Sequence, residues 1–156
     1  MRTILVITAG SIASVSSAEQ RSRAEGLLAE SGVRPTRQRA TVLAELLGEP
    51  DDVTAQELHE RLRARGERLG LATVYRTLGL LADEGVVDVL SHRPGELCYR
   101  RCAEGHHHHL VCSECHRVVE LADCELGPWL DRVSGEHGFV ATGHRLEVAG
   151  LCAACR

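Results

Sequence analysis

From residue 35 onward, apolar positions recur with a helical period. Pro35-Thr36 opens a predicted helix whose apolar side is Val42, Leu43, Leu46 and Leu47, and Gly48-Glu49-Pro50 ends it. Thr54, followed three residues later by Glu57, writes a capping box for a second helix, with Leu58 and Leu62 facing inward and a stop near Gly66. After Gly70, the residues Val74, Leu78 and Leu81 stand four and then three apart, the buried stripe of a third helix that Gly85 ends. Tyr75, Arg76 and Gly79 fall on its other faces. Beyond Gly85 the period drops to two. Val86-Val87-Asp88-Val89-Leu90 reads as a strand, Arg93-Pro94-Gly95-Glu96 as a turn, and Leu97-Cys98-Tyr99 as the returning strand. Three helices and a hairpin predict a winged helix, with a three-helix bundle carrying a β appendage as the alternative the pattern leaves open.

After Arg101 the chain turns to Cys, His and acids. Strands at His107 to Cys112 and Arg117 to Glu120, a helix from about Glu125 to His137 ended by Gly138, and a last strand at about Phe139 to Val148 predict a small α/β layout. The fold class is therefore α+β: an N-terminal winged helix-turn-helix over residues 21–100 and a small C-terminal α/β domain over residues 101–156. Residues 1–20 are expected to be a disordered extension. They imitate a secretory leader through Arg2, Ile4-Leu5-Val6-Ile7 and Ser16-Ser17-Ala18, but the apolar patch is short and broken by Thr8, Gly10 and Ser11.

Composition sharpens this picture. With 156 residues, 44% hydrophobic and only 3% aromatic, the chain has material for two small cores built from Leu, Val and Ala. No apolar run is long enough to cross a bilayer, so no membrane partner is expected. All 18 basic residues are arginine. Arginines and acids balance at 13 each from Arg21 to Arg101, whereas residues 102–156 hold 4 arginines against 8 acids, so the net charge of −4 lies in the second half. Such a balance argues against a general basic coat and leaves room for a local arginine surface on DNA. Arg76, beside Thr73, Tyr75 and Thr77 on the third helix, is the side-chain type that reaches phosphates or base edges in a major groove. Seven cysteines, an odd number, with two CxxC pairs favour thiolates that hold metal in a reducing, cytoplasmic setting.

Cys112-x-x-Cys115 and Cys152-x-x-Cys155 are the strongest chemical signal. Two such turns aim four thiolates at one point and leave no open coordination position, which predicts a structural zinc. The run His106 to His109 leads into the strand that ends at Cys112, and alternation along a strand sends His107 and His109 to one face and His106 and His108 to the other. For the first face the candidate companions are Cys102 and Asp88, with Glu120 in reserve; this mixed donor set suits zinc better than iron or manganese. Asp88 belongs to the winged-helix half, so a metal taking ligands from both halves would link metal binding to DNA binding. A zinc hydrolase is disfavoured, because there is no HExxH and no general base beside an open metal position. No enzyme activity and no small-molecule substrate are expected.

The residues Leu71-Ala72-Thr73-Val74-Tyr75-Arg76-Thr77-Leu78, His106 to His109 and the two CxxC pairs together resemble the Fur family of metalloregulators, from about Arg34 to Cys155. Within that family the chain looks most like the zinc-uptake regulator branch. The resemblance implies a homodimer joined through the C-terminal domain, double-stranded operator DNA as partner, and repression of zinc-uptake genes when a sensing site fills. It implies structural zinc on Cys112, Cys115, Cys152 and Cys155, and sensing zinc on Asp88, Cys102, His107 and His109, hence one structural and at least one regulatory Zn²⁺ per subunit. A family member answering to iron, nickel or peroxide is the alternative, disfavoured by the soft thiolate at Cys102. Some relatives carry a third site, which would fall on His106, His108 and His144. Where its glutamate is expected this chain has Gly127, followed by Pro128, so the site is missing, reshaped, or completed by Asp123 or Glu125.

The remaining residues read as structure. His59 lies opposite the Leu58/Leu62 side, solvated or touching phosphate, and Cys98 reads as a small buried hydrophobe near enough to Cys102 for oxidative pairing. Cys124 has no partner by spacing, and Trp129 is assigned to core or dimer interface. His92, His116 and His137 carry no functional weight.

Overall fold

The computed structural model describes residues 6–7, 17–101 and 105–156, with the backbone alone for residues 6–7. Two compact units divide the chain, one of residues 9–102 and the other of residues 1–8 and 103–156.

The first unit contains α1 (Ser17–Glu30), α2 (Arg37–Leu47), α3 (Ala55–Ala64) and α4 (Leu71–Asp83). A three-stranded antiparallel sheet follows the order β2 (Val53–Thr54), β4 (Cys98–Arg101), β3 (Val87–Leu90). Local chemistry fixes the helix starts. Thr36 caps α2 by accepting from the Arg39 N–H, and at α3 the capping box is complete. Thr54 Oγ1 accepts from the Glu57 N–H at 3.2 Å, and Glu57 Oε2 accepts from the Thr54 N–H at 2.7 Å. Gly66 and Gly85 stop α3 and α4 with φ of 82° and 67°, a left-handed turn that a Cβ would strain. The core is one apolar cluster in which Leu28, Leu43, Leu46, Leu58, Leu62, Leu78 and Leu81 interlock out of water. The winged-helix expectation holds in this unit.

Two elements differ from the sequence reading. Helix α1 starts at Ser17, inside the expected extension, and buries only Ala24 and Leu28, too sparse a stripe to reveal a period. Strand β2 has two residues, too few to show alternation, yet it pairs Val53 with Tyr99 and Thr54 with Cys98. The rest of the expected N-terminal extension lies outside the described residues, apart from the backbone of β1 (Val6–Ile7).

The second unit is a four-stranded sheet in the order β1, β6 (Val118–Leu121), β5 (His108–Cys112), β7 (Glu147–Gly150), with α5 (Gly127–Glu136) as its helix. β5 pairs antiparallel with β6 and parallel with β7. The expected last strand from Phe139 is shorter, because Phe139 and Val140 are 73% and 88% exposed and the ladder begins at Glu147. Helix α5 has no buried residue. Among the described residues, no helix is long and apolar enough to cross a membrane.

Candidate metal centres and nucleic-acid interface

The two CxxC pairs converge. Cys112 ends β5, its partner Cys115 stands on the turn that follows, and His116 closes that turn at φ 58° with its N–H donating to the Cys112 carbonyl. Cys152 and Cys155 form the matching turn just beyond β7, where the Cys155 N–H donates to the Cys152 carbonyl. The four Sγ atoms lie within 4.8 Å of one another, and Cys115 and Cys152 are 3.7 Å apart. A tetrahedron with Zn–S near 2.3 Å has S···S edges of about 3.8 Å, so the donor set fits zinc. The electrostatics agree. Backbone N–H groups of Cys115, Cys152 and Glu114 aim at Cys112 and push its thiol down to about 6. The hydrogen-bonded neighbours Cys152 and Cys115 drive the Cys155 thiol up to about 12. The backbone thus invites negative charge that four thiolates cannot share without a dication. Bound zinc would supply cross-linking and no open position for chemistry.

The histidine run divides by face as its alternation predicts. The rings of His107 and His109 stand 5.0 Å apart, those of His106 and His108 4.6 Å apart. His107 Nδ1–H donates to the Gly105 carbonyl at 2.9 Å, which leaves Nε2 as the lone-pair nitrogen, as in metal-bound histidines. The sheet register sets Glu120 and Glu147 on either side of His109, so the reserve carboxylate Glu120 is on this face and Glu147 joins it. Asp88 lies half-buried on β3 in the first unit, opposite Arg100. Cys102 lies outside the described residues, and with it any pairing to Cys98.

On the other face the structure brings His106, His108 and His144 together and adds a residue the sequence left alone. His144 Nε2 is 3.2 Å from His106 Nε2, 3.4 Å from His108 Nε2 and 3.2 Å from Cys124 Sγ. Asp123 and Glu125, the carboxylates considered for this place, are exposed and stand outside the group. Cys124 escaped notice because it belongs to no CxxC, and its partners are at least 16 residues away in sequence. The missing glutamate at Gly127 was the available signal, three residues downstream. Burial, reinforced by the neighbouring imidazoles of His106 and His144, holds the His108 pKa below the usual value.

Residues 30–149 match the Ferric uptake regulator family. The chain belongs to that family. It is 48% identical over 129 residues to the zinc uptake regulation protein of Mycobacterium tuberculosis (strain CDC 1551 / Oshkosh), spanning 83% of this chain and 99% of that protein. It is 36% identical over 128 residues to the ferric uptake regulation protein of Escherichia coli (strain K12), spanning 81% and 86%. Among solved structures, a zinc uptake regulator complexed with zinc and DNA aligns with a TM-score of 0.72 at 26% identity, covering 90% of this chain and 95% of that one. As a member of the ferric uptake regulator family the protein is a metal-responsive transcriptional regulator and not an enzyme.

In this family member α4 presents Tyr75 and Arg76 to solvent, with Thr73 half-exposed. Thr77, expected beside them, is 5% exposed and packs on the inner side with Val74, Leu78 and Leu81; it is withdrawn from the DNA-facing set. His59 is half-exposed, and its Nε2–H donates a 2.9 Å hydrogen bond to the Leu69 carbonyl, which braces the turn between α3 and α4. Arg93 on the wing turn bonds Glu57 at 2.9 Å and approaches Asp52 at 3.8 Å, clamping the wing to the start of α3. Asp52, His92 and Cys98 also bring donor atoms together, but they form a buried polar network. The Arg93 cation already faces Asp52, and burial, with hydrogen bonding to Asp52, pushes the Cys98 thiol up to about 12. Cys98 is thus a buried residue, as read from sequence, and it hydrogen-bonds as well.

Proposed function

We propose that the protein is a zinc-responsive repressor that binds operator DNA as a homodimer when zinc occupies a sensing site of Asp88, Cys102, His107 and His109, and that it thereby shuts off zinc-uptake genes. The observation that carries this reading is the His107/His109 pair. It occupies its own face of the strand, and the Gly105 carbonyl orients His107 so that Nε2 is the ligand atom. A thiolate and a carboxylate added to two imidazoles suit zinc over iron. The 48% identity to a zinc uptake regulation protein points the same way.

Dimerisation is supported by the apolar surface of the second unit. Leu110 and Val148 are register partners, 40% and 39% exposed, and Trp129 on α5 is 53% exposed. Arg76, Tyr75 and Thr73 would meet DNA, Arg76 by base-edge or phosphate contact. Because Asp88 belongs to the DNA-binding unit and the histidines to the other, metal occupancy and operator affinity become linked. A coupling of about 1–3 kcal/mol per site, combined over two subunits, gives a switch of about 10²-fold or more.

The test is a gel-shift titration with buffered free Zn²⁺ and, anaerobically, Fe²⁺, Ni²⁺ and Mn²⁺. Zinc should be the effective ion, and Cys102→Ser should stay a folded dimer that no longer gains operator affinity with zinc. Undiminished zinc dependence in that variant overturns the sensing assignment. A preference for Fe²⁺ or Ni²⁺ in the native protein favours the alternative family signal.

A further inference from the structure

We infer that in this chain the third site implied by the resemblance, on His106, His108 and His144, is completed by the Cys124 thiolate as a direct zinc ligand in place of the absent glutamate, and that the site so formed holds α5 in place. It goes beyond the sensing reading, since it shares none of those four ligands.

The distances carry the argument. With Zn–N of about 2.0–2.1 Å and Zn–S of about 2.3 Å, a tetrahedron has N···N edges of about 3.3–3.4 Å and N···S edges of about 3.5 Å. The edges from His144 are 3.2 and 3.4 Å to nitrogen and 3.2 Å to sulfur. A single imidazole nitrogen has one proton or one lone pair and can serve only one of these neighbours as a hydrogen-bond partner. Three donor atoms closing on His144 Nε2 at contact distance describe a cage around a common centre. All four donor atoms lie within 4.8 Å of one another.

The donor set also decides the ion. Three neutral imidazoles and one thiolate favour zinc over the harder Fe²⁺ and Mn²⁺, which a glutamate in that place would tolerate. On binding, the Cys124 S–H bond breaks, a sulfur–zinc bond forms and the proton passes to solvent.

Position supplies the consequence. Cys124 lies in the loop before α5 and His144 in the segment after it, while His106 and His108 lead into and open β5. Helix α5 buries no residue of its own. Ligands on both sides of it, joined to β5 through one ion, provide the attachment that an apolar face would otherwise give.

Trp129, the sole tryptophan, sits on α5 and reports on this directly. The test uses full-length Cys102→Ser protein with its four-cysteine cluster loaded with zinc, titrated with Co²⁺. One equivalent should bind with a thiolate-to-cobalt charge-transfer band and quench Trp129. Cys102→Ser/Cys124→Ser should lose the band and the quenching while keeping its zinc and its far-ultraviolet circular dichroism. Cys102→Ser/Cys124→His should restore stoichiometric binding without the band. Identical spectra with and without Cys124, or binding in the Cys102→Ser protein without any thiolate band, overturn the assignment; the latter would mean that Asp123 or Glu125 completes the set. The sensing reading is judged by operator binding of Cys102→Ser, so either idea can fail alone.

Discussion

The two units reach stability by different routes. In residues 9–102 the interior is leucine, valine and alanine, and the largest fully buried side chains are Leu28, Leu43, Leu46, Leu58, Leu62, Leu78, Leu81 and Leu90. In the second unit the buried residues described are Val111, Cys112, His108 and His109, so three of the four are metal-donor side chains. Large apolar residues there, among them Trp129, Phe139 and Val140, face outward. One half folds by removing hydrocarbon from water; the other is built around points where donor atoms meet. The four-cysteine cluster and the clustered histidines stand in the second unit, while the apolar core that carries α4 lies in the first.

The largest effect expected from this contrast is that of stripping metal. A structural zinc contributes on the order of 10 kcal/mol to small domains that depend on it. Strong chelation, or Cys112→Ser, should therefore unfold the second unit while α1 to α4 keep their hydrogen-exchange protection. Uniform loss of protection in both units would break the comparison. Next comes the apolar core: Leu78→Ala should cost about 2–5 kcal/mol in denaturant unfolding of the first unit, with the zinc content of the protein unchanged. A fall in bound zinc would show that the units are not independent.

The smallest effect belongs to the α3 capping box. Thr54→Ala should cost about 1 kcal/mol. Burial alone would raise the Glu57 pKa, but the Thr54 backbone N–H and Arg93 outweigh it and hold the carboxyl below its ordinary value of 4.5. A lowered folded-state pKa means that the contribution is present above the ordinary value and is lost as pH falls through the lowered one. Glu57→Gln should therefore flatten the acid limb of stability in the first unit. An unchanged limb would remove Glu57 from the account.

How much the sequence reveals follows the same division. Helices α2, α3 and α4 are legible because an apolar stripe and a capping residue are local features, and Thr54 with Glu57 marks the start of α3 to the residue. The four-cysteine cluster is legible because each half is a local CxxC. Cys124 is not, since its role exists only once β5, the loop before α5 and the segment holding His144 have converged. Thr77 misleads for the opposite reason. Its neighbours Tyr75 and Arg76 are exposed, but a rotation of three residues from Val74 returns it to the packed face. Helix α1 hides behind a polar composition, and only contact with α2 reveals which side of it is buried.

Four consecutive histidines look like redundancy, yet alternation gives each one a fixed address. Deleting or inserting a single residue between Gly105 and His109 would exchange the imidazoles presented on the two faces of the strand. In this stretch a change of length is more damaging than a change of letter, so mutational drift here should be confined to substitutions.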